Sequence, residues 1–114
     1  MRIIGIDTPE TKDPRKGREC YGKESSARLA QLIGGKPVTV ALQKKGRTFD
    51  IYRRWLLDVW TPKGKFVAAA MVRGGFARTL NIWPNNEHAQ FLAKLQHRAK
   101  KNERGLWGAC RTTI

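Results

Sequence analysis

The residues best equipped for chemistry gather at the start of the chain, where Arg2 is followed by Asp7-Thr8-Pro9-Glu10-Thr11. A strand ending in this segment offers two carboxylates and a backbone carbonyl at one rim. These are the hard oxygen donors that Ca²⁺ takes, and Pro9 stiffens the turn that presents them. A carboxylate not committed to a metal can deprotonate a water within hydrogen-bond reach. An arginine fork matches a phosphate bidentately. A phosphodiester-cleaving site can be built from these parts. The same letters also spell an ordinary turn and helix start, and residue types leave both open. Arg2 and Asp7 lie an odd number of positions apart, so a strict pleat puts them on opposite faces. They share one site only if Gly5 marks a bulge or bend.

A second polar cluster, Asp50-Ile51-Tyr52-Arg53-Arg54, stands at the head of a strand read over Tyr52 to Trp60. Its paired arginines fit a binding role or plain solvated charge. His88 and His97 read as packing residues of a long helix. Tyr52 and the four tryptophans read as core, with Trp60 and Trp83 near turns where they can stack on bases. Cys20 and Cys110 form no CxxC pair and have no histidine at zinc-ligand spacing. One long-loop disulfide and two free thiols both remain open.

The elements that must position these groups follow from apolar spacing. Residues 2–7 predict a strand and residues 8–20 an exposed loop. Leu29, Leu32 and Ile33 fall at i, i+3, i+4, predicting a helix over Tyr21–Ile33 that Gly34-Gly35 stops. Val38, Val40 and Leu42 alternate as a strand. In the next strand Trp55, Leu57 and Val59 share one face, and Arg54, Leu56 and Asp58 the other. Phe66–Arg73 predicts a short helix, with Val67, Ala70 and Met71 buried, and Phe76–Thr79 an extended piece. A long helix opens at Pro84-Asn85-Asn86, with Asn86 as cap and His88, Leu92, Leu95 and Ala99 on its core face. Leu106-Trp107 folds back as an apolar lid after Gly105. The order gives one small α+β domain over residues 1–114, with fewer strands than a closed barrel needs.

The 23 Lys and Arg against 9 Asp and Glu leave a net charge of +14 on 114 residues. Such a surface attracts polyanions, with nucleic acid the leading partner and an anionic lipid surface or acidic protein the alternatives. No apolar run approaches the roughly 20 residues of a membrane span, and the opening residues do not read as a secretory signal.

The motifs in order resemble the staphylococcal nuclease family. Arg2-Ile-Ile-Gly-Ile-Asp7-Thr8-Pro9-Glu10-Thr11 looks like its strand and loop, and Tyr21-Gly22-Lys23-Glu24 like its first helix. Asp50-Ile-Tyr52-Arg53-Arg54 stands where the family has Asp-x-Tyr-Gly-Arg. Val72-Arg73-Gly74-Gly75-Phe76-Ala77, Pro84-Asn85-Asn86 and Gly105-Leu106-Trp107 follow in register. The resemblance implies an OB-type β-barrel with three α-helices and a Ca²⁺-dependent nuclease acting on DNA and RNA, preferring single strands and leaving 3′-phosphate ends. By the same resemblance Arg2 and Arg54 hold the scissile phosphate, Glu10 orients or deprotonates the attacking water, and Tyr52 helps position a substrate phosphate; Arg53 beside it is read as a further substrate-binding residue. Asp7 and the Thr8 carbonyl ligate the metal. A bacterial, plasmid-borne origin and a secreted or periplasmic location are compatible with it.

The departures shape what is expected. The family's earlier strands, with an Asp-Gly-Asp-Thr-like turn supplying a further metal ligand, fall outside this sequence. An incomplete barrel, weaker Ca²⁺ binding, reduced activity and pairing of an open sheet edge with a second copy are expected from that. Arg53 replaces the usual glycine, and Leu80 and Ile82 stand where some members carry tyrosines. The competing function is a non-catalytic nucleic-acid-binding OB module. A basic protein-interaction domain explains the charge but none of the motifs.

Overall fold

The computed structural model describes residues 2–9 and 20–110. Glu10 lies outside the described residues, as does most of the loop expected over residues 8–20. The strand expected over residues 2–7 is two short ones: β1 (Arg2–Ile3) and β2 (Ile6–Asp7). Gly5 separates them at φ 91°, a left-handed conformation, and a Cβ there would lie 2.6 Å from Leu92 Cδ1. Only glycine meets both conditions without strain. The bend lets the two halves pair with different partners. The remaining elements are α1 (Gly22–Ile33), β3 (Thr39–Ala41), β4 (Leu56–Trp60), α2 (Val67–Arg73), β5 (Arg78–Thr79), α3 (Ala89–Lys101) and α4 (Leu106–Ala109).

β4 is central to a three-stranded sheet of order β1-β4-β3, with β1 parallel and β3 antiparallel to it. β2 and β5 form a separate antiparallel pair, with Asp7 opposite Arg78. No closed barrel forms among the described residues, which gives the mixed α+β architecture of an incomplete OB fold. β3 lies at a sheet edge with Thr39, Val40 and Ala41 all exposed.

The core sits between β4 and the helices. Val59, Val67, Met71 and Val72 are fully buried there, and Leu92 from α3 joins them. Leu92, Leu95 and Ala99 form the buried stripe of α3, as the sequence predicts, whereas His88, expected on the same face, precedes the helix and is part-exposed. Helix α2 is buried on more than one side, taking in Ala68, Ala69 and Val72 as well as Val67 and Met71. Its end crosses the turn after α3 at close range. Gly75, at φ 75°, accepts a hydrogen bond from Leu106 N, and a Cβ on Gly75 would run into the carbonyl of Arg104. Leu106 is buried, so the expected lid is present as the one-turn helix α4, a fourth helix beside the three expected. Cys20 and Cys110 are joined in a disulfide, Cα to Cα 5.8 Å, which closes the alternative of free thiols.

Two expected elements differ. The strand read from Tyr52 begins only at Leu56, because Asp50–Arg54 is a tight turn. The long helix begins at Ala89, and no side chain caps it. The neighbouring Asn85 is spent elsewhere, accepting from Arg47 N at 2.9 Å and donating to Arg47 O at 3.0 Å. The Pro84-Asn85-Asn86 segment therefore braces the loop before Arg47 rather than opening a helix.

Candidate active site

Arg2 is placed by backbone pairing. Its N–H donates to Trp55 O at 2.8 Å, and Arg2 stands in register with Leu56. That lays the first strand beside the chain leaving Arg54. Arg54 is placed by the turn before it. Asp50 Oδ1 accepts from the N–H groups of Tyr52 (2.8 Å) and Arg54 (2.9 Å), while Oδ2 accepts from Arg54 Nε at 2.7 Å. The guanidinium also lies over the Tyr52 ring, 5.3 Å from its centroid. With Nε engaged, the two Nη groups are the edge that matches a phosphate. Burial pushes the Asp50 carboxyl upward, but the hydrogen bonds from Arg54 and Tyr52 outweigh it and hold the group below its ordinary value. Arg53 takes φ 61°, so the family's glycine position is a left-handed one that an arginine fills here.

Arg2, Tyr52 and Arg54 line one cavity of about 430 Å³, with Arg47 at its rim and Leu80, Ile82 and Trp83 on its apolar wall. Arg53 is not among its lining residues, and neither are Asp7 and Thr8, which lie exposed beyond the Gly5 bend. Tyr52 (72% exposed), Trp55 (50%) and Trp83 (78%) are not core residues, contrary to the expectation from their size. Tyr52 sits on a turn and Trp83 precedes a proline, so neither has a sheet or helix face to bury it. Leu80, Ile82 and Trp83 are residues that the sequence already singled out, the first two standing in place of tyrosines and Trp83 able to stack on a base, whereas Arg47 was not, because a loop residue carries no periodicity.

Asp7 and Thr8 offer a carboxylate and a carbonyl, both hard oxygens of the type Ca²⁺ takes. Among the described residues, the group with metal-ligand spacing is a different one: Asp58, Glu87 and His88, whose ligand atoms all lie within 4.8 Å of one another. Asp58 is a buried member of β4, on the strand face that the alternation gives to Arg54, Leu56 and Asp58. Burial raises its pKa, against hydrogen bonds from Gln43 and the attraction of His88.

The family model for staphylococcal nuclease homologues matches residues 1–109, and the chain belongs to that family. A thermonuclease of Staphylococcus hyicus is 31% identical over 107 residues, covering 94% of this chain and 62% of the relative. An uncharacterized endonuclease of Escherichia coli O157:H7 is 34% identical, covering 94% and 61%. Endonuclease YhcR of Bacillus subtilis is 31% identical over 94% of this chain but only 9% of its own length. The chain thus spans about three-fifths of the length of the first two relatives it matches.

Proposed function

We propose that this chain is a nuclease domain that hydrolyses phosphodiester bonds of DNA and RNA, single strands by preference. The observation that carries the proposal is the meeting of Arg2, Tyr52 and Arg54 at one cavity, with Asp50 fixing the guanidinium of Arg54. Two arginine forks aimed at one phosphate bind it in the ground state. They bind it more strongly as negative charge builds in the pentavalent transition state, and that difference accelerates the reaction. Tyr52 positions a neighbouring phosphate, Arg53 adds positive charge on the same turn, and the apolar wall of Leu80, Ile82 and Trp83 accepts a base. Glu10, by the resemblance, orients the attacking water and takes its proton. The Asp7 carboxylate and Thr8 carbonyl would hold Ca²⁺, which when bound polarises a phosphoryl oxygen. The names of the relatives, thermonuclease and endonuclease, support the same activity.

The test is cleavage of a labelled single strand by the unmodified chain and by Glu10→Gln, followed by analysis of the ends. The proposal expects fragments that primer extension refuses until a phosphatase removes a 3′-phosphate, and a loss of about 10²-fold or more in Glu10→Gln. Fragments with free 3′-hydroxyls would overturn the assigned chemistry. The open edge of β3 is the surface at which a second copy pairs in this reading. Sedimentation showing only a 13.0 kDa species at every concentration would refute it.

A further inference from the structure

The geometry points to a second, unassigned metal site, for Zn²⁺ or a similar first-row divalent ion, formed by Asp58, Glu87 and His88. His88 Nε2 lies 3.4 Å from Asp58 Oδ2 and 3.2 Å from Glu87 Oε2. Ligand atoms bound tetrahedrally at zinc distances stand about 3.4 Å apart along each edge. Two of the three edges are therefore already drawn, and rotation of the half-exposed Glu87 side chain closes the third. One imidazole and two carboxylates suit zinc and its neighbours, whereas Ca²⁺ takes oxygen alone.

The surroundings are those of a built site. The Asp58 side chain is 3% exposed, a carboxylate held away from water. Gln43 braces the Asp58 carboxylate, its Nε2 donating to Asp58 Oδ2 at 3.1 Å, while its Oε1 accepts from the backbone N–H of Glu87 at 3.4 Å. Such outer partners fix the orientation of metal-binding carboxylates. The His88 ring is held edge-on against Phe66, 4.9 Å between centroids. Asp58 and His88 border a pocket of about 100 Å³ lined also by Asn81, Asn85 and Asn86, which leaves space for a water at the fourth position. The ion would pin β4 to the start of α3. The site is separate from the Asp7 and Thr8 donors and stands whether or not the chain cleaves nucleic acid.

Co²⁺ titration of the purified chain, read by visible absorption with Zn²⁺ as competitor, tests it. The expected result is one equivalent of Co²⁺ with the intense bands of a tetrahedral site, displaced by Zn²⁺. Gln43→Ala should weaken the affinity about 10–100-fold, the usual effect of removing an outer partner. Glu87→Gln and His88→Ala should abolish the bands, while Asp7→Ala and His97→Ala leave them. Glu87 is exposed, so its variant folds even if His88→Ala, which loses the Phe66 contact, does not. Absence of the bands in the unmodified chain, or their survival in Glu87→Gln, overturns the inference.

Discussion

Asp50 shows how one carboxylate organises Arg54 for the phosphate-binding role proposed for it. Three donors, two of them backbone N–H groups, converge on it, so the side chain builds the turn and aims Arg54 at once. Replacing it with alanine should slow cleavage about tenfold or more without removing any group from the substrate, because misplacing a positioned group by a fraction of an ångström is costly. Steady-state kinetics on a short single strand checks this. Because the carboxyl is held below its ordinary value, its contribution is complete above the unfolded value and lost as pH falls through the folded one. An NMR titration should therefore find the Arg54 Nε–H bond intact at mildly acidic pH and opening only below the ordinary carboxylate value near 3.8.

Glycine conformations decide what the elements can do. Arg53 holds φ 61° where a glycine would be unstrained, so Arg53→Gly should stabilise the chain by about 1 kcal/mol, read as a raised urea midpoint at constant slope. Gly75→Ala should cost about 2 kcal/mol or more in the same experiment, since it combines φ 75° with a clash against Arg104 O. The helices were legible because Leu29, Leu32 and Ile33, and again Leu92, Leu95 and Ala99, repeat with the helical period. The Asp50 turn was not, because its stretch carries β-type residues and the side-chain bonds that bend it leave no period. The Gly5 bend was legible only as a condition, imposed by the odd spacing of Arg2 and Asp7. Asp58 and Glu87-His88 could not be joined from the sequence at all, since one lies in β4 and the others in the segment before α3, and only the folded chain brings them together.

For the whole molecule, the disulfide closes nearly the entire described chain into one loop, with Cys20 and Cys110 separated by 90 positions. Cross-linking a loop of that size removes much unfolded-state entropy, so Cys20→Ser should lower stability by about 4 kcal/mol, measured by denaturant titration. The net charge of +14 predicts nucleic-acid binding that weakens steeply with salt, whatever the fate of the bound strand. Binding of that kind is shared by a nuclease and a passive module; what separates the two is the set Arg2, Asp7, Glu10 and Arg54, for which binding alone has no need. The most direct measurement is cleavage of single-stranded DNA and supercoiled plasmid, in Ca²⁺ and in EDTA, by the unmodified chain, Arg2→Ala and Arg54→Ala. A nuclease built as described here cuts only in Ca²⁺ and loses about 10²–10³-fold in rate with either substitution. Salt-sensitive binding without cutting, or cutting that survives both substitutions, would contradict it.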